Sequence, residues 1–161
     1  MKSILIALIL LSISMPAFCG GPAAGEVSCD KGLDMPRVQA LVKRAAEALK
    51  KDPDKVIAQI NTGDRQWKDG DYYLVVMQGT TIVARGYQQQ YVGVDLGTPQ
   101  MQAAFPNLTA LHRLIGTKGE GCVQYRWNNP AKRGEVEDKV SYGLKVNDKL
   151  WVVAGTYLVR R

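Results

Sequence analysis

The chain has 161 residues, of which 46% are hydrophobic and 22% are charged, and its 21 basic and 15 acidic side chains give a formal net charge of +6. This size and composition fit one domain with a buried core, and they exclude a fibrous or disordered protein. The basic residues are scattered along the chain, so nucleic acid is not a predicted partner, while the positive balance favours anionic ligands.

The first 19 residues have the composition of a secretory signal peptide. Lys2 precedes a short apolar run, and small residues follow that run. The run is shorter than the roughly 18 to 20 apolar residues of a membrane span. We therefore predict a signal peptide over 1–19 and a leader over 20–34. Cleavage after Cys19 is the first choice and cleavage near Ala24 the second, while a lipid anchor on Cys19 is the alternative. The mature protein is predicted to be periplasmic or secreted and not to span a membrane.

Removal of the signal peptide leaves two cysteines, Cys29 and Cys122. An even number of cysteines in an exported protein favours a disulfide over a metal site or a nucleophile. The predicted bridge would tie the N-terminal segment to the first residue of a late strand. Two free thiols are the alternative.

Two helices are predicted at the start of the domain. The first begins at Pro36, and its apolar residues recur at helical spacing and form one core-facing stripe. These residues are Val38, Leu41, Val42, Ala45, Ala46 and Leu49. Asp52 and Pro53 are typical of the cap and first turn of a helix, which predicts a second helix that runs through Ile60 and ends at Gly63.

The pattern changes to strands after residue 71. The segments 72–77 and 80–85 are rich in β-branched and aromatic residues, and Gln78 and Gly79 between them predict a tight hairpin. Residues 86–97 contain three successive glutamines and two tyrosines without a regular period. This segment is predicted to be a long loop, of a kind that often carries function.

The second half of the chain is predicted to contain a short helix and three strands. The helix spans 108–115, and a glycine-rich turn follows it. The strands span 122–127, 139–145 and 150–159. This order of elements predicts an α+β fold, in which a long N-terminal helix packs on one face of an antiparallel sheet. The other face is expected to be free to hold a ligand.

Short motifs in these segments carry a resemblance to a known family. The motifs are Asp69 to Tyr73, Gly79, Val92 to Leu96, Tyr125 to Trp127 with Pro130, Lys139 to Tyr142, and Trp151 to Tyr157. The chain resembles the extracytoplasmic Cache sensor family, specifically the small single-module type found in bacterial chemoreceptors and sensor kinases. The resemblance implies a single domain over 35–161 with a PAS-like fold, which has a five-stranded antiparallel sheet and a long N-terminal helix.

The resemblance also implies a function. Pockets of this family often receive small carboxylates or other small metabolites. The chain is therefore predicted to be a soluble periplasmic ligand-binding module for a small anionic metabolite such as a short carboxylate, without a cofactor. Family members are normally flanked by membrane helices, whereas this chain ends four residues after Tyr157. Signal transduction, as in chemotaxis, is therefore expected to need a membrane receptor or sensor kinase as partner. The alternative is a secreted protein-interaction module that binds a partner protein and no small ligand.

Six residues are candidates for the ligand pocket. They are Tyr73, Arg85, Arg126, Trp127, Lys139 and Tyr142. Arginine can hold a carboxylate with two parallel hydrogen bonds, lysine offers a point charge, and tyrosine offers a hydroxyl. Strand alternation puts Arg126 on the face opposite Trp127, and Lys139 on the face opposite Tyr142, so only part of the set can face one pocket. Family members commonly have a histidine after the second strand, whereas this chain has Arg85, Gly86 and Tyr87 there.

No catalytic or metal-binding residue is predicted. His112 is the only histidine, it lies in the predicted short helix, and no serine motif accompanies it. One histidine without a cluster of free thiols leaves a transition metal without ligands. We therefore do not expect an enzyme.

Overall fold

The computed structural model describes residues 24–158 of the chain. The predicted signal peptide lies outside the described residues, and so do Cys19 and the first residues of the predicted leader. Between residues 24 and 158, no helix has both the length and the apolar character that crossing a membrane requires.

A six-stranded antiparallel sheet forms the centre of the fold. Its strands, in spatial order, are β1 (Gly25–Val27), β6 (Glu120–Asn129), β7 (Glu135–Lys145), β8 (Leu150–Tyr157), β4 (Val75–Gln78) and β5 (Thr81–Arg85). A separate hairpin contains β2 (Lys68–Asp69) and β3 (Tyr72–Tyr73). The predicted α+β fold is confirmed, but the sheet has six strands rather than five, because β1 from the predicted leader pairs with β6.

Within residues 24–158, four α-helices pack around the sheet. They are α1 (Met35–Lys51), α2 (Pro53–Asn61), α3 (Pro99–Ala104) and α4 (Pro106–Lys118). The whole predicted apolar stripe of α1 is buried. It packs against alternate strand residues such as Val76, Val140 and Val152. The Asp52 side chain accepts a hydrogen bond of 3.2 Å from the Lys55 backbone N–H and caps α2, as the sequence predicts.

The second face of the sheet is covered by α4 rather than free. Leu111, Leu114 and Ile115 of this helix pack on that face. The helix approaches so closely that a Cβ on Gly121 would lie 2.5 Å from Leu114, and one on Gly143 would lie 2.5 Å from Ile115. The expectation of a free face is therefore wrong for the parts of β6 and β7 around Gly121 and Gly143, because their apolar residues on this side also need burial.

Three local differences from the predicted elements bear on the site. The strand predicted at 72–77 is divided into β3 and β4, and α3 was not predicted. The hairpin turn falls at Gly79 and residue 80, where Gly79 has a φ of 57°. The loop predicted at 86–97 contains a 3-10 turn at Gln89–Tyr91 and then returns to the sheet edge, where Ile82 N–H donates to Val94 O at 2.9 Å.

A disulfide joins Cys29 to Cys122, as predicted. The two cysteines are 93 residues apart in the chain, and their Cα atoms are 5.3 Å apart. Cys122 is buried in the core that α1 covers. On the chain-entropy model, a bridge over this separation stabilises the fold by about 4 to 5 kcal/mol. The disulfide therefore fixes the N-terminal segment, with β1, to the edge of the sheet.

Candidate ligand-binding site

A small buried cavity lies between the sheet and the N-terminal end of α4. Its volume is about 30 Å³, which restricts it to small ligands. Its polar lining consists of Tyr73, Arg85, Asn107, Tyr125, Lys139 and Ser141. Its apolar walls include Phe105, Leu108, Trp127 and Val153. The cavity thus combines two cations with hydroxyl groups and aromatic walls.

Strand register brings the polar residues together. Lys139 lies opposite Tyr125 on β6 and Tyr157 on β8, and Ser141 lies opposite Gly155. Residues paired in this way point to the same face of the sheet. A Cβ on Gly155 would overlap Ser141 Oγ and lie 2.9 Å from Lys139 Cε. The glycine therefore makes room for both side chains.

Lys139 is a buried cation with aromatic neighbours. Only 4% of it is exposed, and its Nζ lies 5.0 Å from the ring centre of Tyr73 and 4.8 Å from that of Tyr157. Among the ion pairs of residues 24–158, none includes Lys139. Burial, and secondly the positive charge of Arg85, lower the pKa of Lys139 to about 7. A bound anion would favour the charged form of this lysine.

Arg85 is the second buried cation, with 3% of its surface exposed. Its Nε donates a hydrogen bond of 2.7 Å to Tyr87 O, and Nη2 donates one of 3.0 Å to Gln88 Oε1. Its guanidinium lies over the Tyr91 ring, 5.0 Å from the centroid. These partners are neutral, and no ion pair of the described residues includes Arg85. The loop after β5 therefore orients the guanidinium without cancelling its charge.

The N-terminus of α4 adds to the positive field of the cavity. The helix begins at Pro106, no side chain caps it, and its next two residues, Asn107 and Leu108, line the cavity. The first turn of a helix carries unpaired N–H groups and a partial positive charge. Arg85, Lys139 and this helix end thus all favour an anion in the same small space.

Two residues with hydroxyl groups, Tyr125 and Ser141, line the cavity next to each other. The oxygens of Tyr125 and Ser141 are 2.7 Å apart and share a hydrogen bond. Burial raises the pKa of Tyr125, while the side chains of Ser141 and Asn107 act in the opposite direction. The phenol therefore stays protonated at neutral pH and remains a potential donor.

Four of the six predicted pocket residues line the cavity, namely Tyr73, Arg85, Trp127 and Lys139. Arg126 and Tyr142 lie on the opposite face of the sheet, as strand alternation requires. Arg126 is exposed, and its Nη2 donates a hydrogen bond of 3.4 Å to Val136 O. Tyr142 is buried beneath α1, and its hydroxyl donates to Glu120. The cavity is therefore built without these two residues, and the ligand roles of the other four remain predictions.

Nine lining residues were not selected from the sequence, and four of them shape the polar part of the cavity: Asn107, Tyr125, Ser141 and Gly155. Tyr125 and Ser141 carried a usable signal, since alternation puts them on the faces of Trp127 and Lys139 respectively. Asn107 carried no such signal, because it lies on α4 and the position of this helix on the sheet depends on tertiary packing. Gly155 carried no signal either, because its role depends on Ser141 and Lys139 of the neighbouring strand β7.

A larger groove of about 270 Å³ lies outside the cavity. Its lining includes Lys68, Asp71, Gly86 and Tyr87, and Tyr73 lines both the groove and the cavity. The ring centres of Tyr73 and Tyr87 are 5.4 Å apart. Tyr73 therefore lies between the cavity and the groove, and Tyr87 packs beside it on the groove side.

The described residues contain no group of histidine, cysteine, aspartate and glutamate side chains that could hold a metal ion. His112 is exposed on α4 and stacks on Trp151 with ring centres 5.8 Å apart. It does not line the cavity. The charged residues that line the cavity are Arg85 and Lys139.

Comparison with known proteins agrees with this architecture. Residues 35–159 match the family model described as Single Cache domain 2. A solved Cache chemosensory domain, described for its carboxylic acid recognition, is 20% identical with a TM-score of 0.57, over 77% of this chain and 92% of that chain. A periplasmic sensor domain of a chemotaxis protein is 19% identical with a TM-score of 0.52, over 77% of this chain and 90% of that chain. No curated protein sequence matches the chain. Since the family model spans most of its length, the chain belongs to the single Cache domain family.

Proposed function

We propose that the protein is a periplasmic sensor-type module that binds a short carboxylate in the cavity beneath α4 and acts through a separate partner. The observation that carries this proposal is the pair of buried cations, Arg85 and Lys139, beside a cavity that no acidic residue lines. Burial of an unpaired charge is costly. An anionic ligand would offset that cost by pairing with both side chains.

The size and lining of the cavity favour a short ligand. A volume of about 30 Å³ accommodates only a few non-hydrogen atoms. A carboxylate has two oxygens and can accept hydrogen bonds from a guanidinium, an ammonium and a hydroxyl at once. The Cache domain of similar fold that recognises carboxylic acids supports the same ligand class.

The proposed location and partner rest on the family and on the N-terminal sequence. One solved structure of similar fold is a periplasmic sensor domain of a chemotaxis protein. The predicted signal peptide supports the same compartment. We therefore propose a membrane receptor or sensor kinase as the partner that reads the ligand state.

The β5 edge of the sheet offers little support for the alternative of a protein-binding sheet edge. Exposed edge strands pair readily with other chains, but the edge at β5 is already occupied. Ile82 N–H donates to Val94 O, and Gly93 N–H donates to Ile82 O at 2.8 Å. The Asn61 side chain donates to Val83 O at 3.0 Å and accepts from the Arg85 N–H at 3.1 Å.

Calorimetric titration of the protein with formate, acetate and propionate near pH 6 tests the proposal. We expect saturable binding of at least one acid to the wild-type protein. Arg85→Met should weaken that binding by about 10- to 100-fold, because a hydrogen bond to a charged group is lost. Arg126→Met is the matched control, since Arg126 lies on the opposite face of the sheet and is exposed.

Two outcomes would contradict the proposal. One is the absence of binding by every short carboxylate at millimolar concentration. The other is equal loss of affinity in Arg85→Met and Arg126→Met, because a general effect of net charge would then explain the binding. Near-ultraviolet circular dichroism of each variant checks that the fold is retained.

A further inference from the structure

We infer that the preferred ligand carries a hydrogen-bond donor next to its carboxylate, and that Asn107 recognises this donor, which makes the ligand class a short 2-hydroxy acid. This inference rests on the proposed function and goes beyond it by naming the ligand class and a specificity-determining residue. Four observations carry it: an unpaired acceptor, the orientation of its amide, the charge of the cavity and the volume of the cavity.

Asn107 Oδ1 is the unpaired acceptor. The side chain lines the cavity, and the residue is 7% exposed. Within residues 24–158, Oδ1 of Asn107 is the only buried side-chain nitrogen or oxygen without a hydrogen-bond partner. Buried polar atoms in native proteins are nearly always paired, so an exception at a binding cavity points to a partner that arrives with the ligand.

The orientation of the amide makes the missing group a donor. Of the two polar atoms of the Asn107 amide, it is the carbonyl oxygen that is buried without a hydrogen-bond partner among the described residues. A carboxylate or a keto oxygen cannot satisfy an acceptor, whereas a hydroxyl can.

The charge of the cavity selects a hydroxyl over an ammonium group. Arg85, Lys139 and the N-terminus of α4 all contribute positive potential, and no acidic residue lines the cavity. An α-amino acid would bring a third cation into this space, where like charges repel. A 2-hydroxy acid provides an anion for the cations and a neutral donor for Asn107.

The volume of the cavity favours the smallest member of this class. About 30 Å³ leaves no room for a long chain. Glycolate, with two carbons, is therefore the appropriate probe. Fluoroacetate is nearly isosteric with glycolate but lacks the donor, and acetate lacks the substituent altogether.

Calorimetric titration with glycolate, fluoroacetate, acetate and glycine near pH 6 tests this inference. For the wild-type protein we expect glycolate to bind about tenfold more tightly than fluoroacetate or acetate, and glycine to bind most weakly. Asn107→Leu removes the acceptor at similar volume, so it should abolish the preference for glycolate while acetate still binds. Asn128→Leu is the control, since Asn128 is exposed on β6 and should leave the preference unchanged.

The outcomes separate this inference from the function on which it rests. Equal affinity of the wild-type protein for glycolate and fluoroacetate would overturn the role of Asn107 and leave carboxylate binding intact. A failure of all four probes to bind would overturn both. Should Asn107→Leu not fold, the comparison of glycolate with fluoroacetate on the wild-type protein still decides the matter.

Discussion

The two faces of the central strands use alternate residues of the same segments, yet they are different environments. On the α1 face, Val140, Tyr142 and Val152 pack into a continuous apolar core. On the α4 face, Lys139 and Ser141 of the same strand line a polar cavity. The comparison indicates that one face stabilises the fold, while part of the other is available for binding a ligand.

The lengths and positions of the covering helices explain this difference. Helix α1 has 17 residues, and the apolar stripe along its whole length is buried against the strands. Helix α4 has 13 residues, and its apolar side chains press against Gly121 and Gly143. Lys139, within β7, lines the cavity together with Asn107 and Leu108 from the first turn of α4, which no side chain caps.

The largest expected effect comes from truncation on the α1 face. Leu41 is 1% exposed within the α1 stripe, so Leu41→Ala should lower the free energy of unfolding by about 3 kcal/mol. Leu33→Ala is the matched control, because Leu33 is 49% exposed and should change stability by less than about 0.5 kcal/mol. Urea denaturation measures both values. Similar losses in the two variants would contradict the assignment of α1 as the main packing helix.

The next effect is a pH dependence of stability that originates on the α4 face. The folded-state pKa of Lys139 is about 7, below the ordinary value of 10.5. Between these values the unfolded chain binds a proton that the folded chain does not. The free energy of unfolding should therefore rise with pH above about 7, by up to about 1.4 kcal/mol per pH unit, and this contribution is lost as pH falls.

Urea denaturation at a series of pH values checks this dependence. The useful window ends near pH 9.5, because burial raises the pKa of Tyr125, Tyr142 and Tyr157 and makes their ionisation destabilising above about pH 10. Lys139→Met should flatten the rise between pH 7 and 9.5. Equal slopes for the variant and the wild type would contradict the assignment of a buried, unpaired lysine. Saturating carboxylate should also reduce the slope, since the ligand keeps the lysine charged.

A smaller effect is expected from filling the space at Gly155. A Cβ there would overlap Ser141 Oγ, so Gly155→Ala should cost about 2 kcal/mol and weaken carboxylate binding by displacing Lys139. Gly116→Ala is the control, because a Cβ on Gly116 meets no atom within 4 Å and the residue lies in α4. That control should be neutral or slightly stabilising, as is usual for alanine in a helix. Thermal unfolding and acetate titration measure the two effects.

The smallest expected effect is on carboxylate affinity, and it compares one tyrosine from each face of the sheet. Tyr125→Phe removes a hydroxyl that lines the cavity and bonds Ser141, so carboxylate affinity should fall by about three- to tenfold. Tyr142→Phe removes a hydroxyl that bonds Glu120 beneath α1, and it should leave affinity unchanged. Isothermal titration with acetate checks both variants. An effect of Tyr142→Phe on affinity as large as that of Tyr125→Phe would contradict the division of the faces.

Local patterns were enough to predict much of the fold. The α1 stripe, the cap of α2 at Asp52 and the central strands all follow from spacing and turn residues within short segments. The sixth strand escaped prediction, because three residues at the edge of a sheet have no periodic pattern of their own. The predicted signal peptide and its cleavage site lie outside the described residues and remain predictions.

The sequence by itself determined the class of the fold, the apolar face of α1 and the segments that supply most of the candidate site. Only the tertiary structure decided which of its charged residues face one cavity. Arg85 on β5 and Lys139 on β7 are 54 positions apart in the chain. Strands β4 and β8 lie between β5 and β7 in the sheet, and this order brings both side chains to one cavity. Arg126 and Tyr142 point to the opposite face. The physical reason is that alternation fixes relative faces within each strand, while strand pairing and helix docking decide which face meets which neighbour.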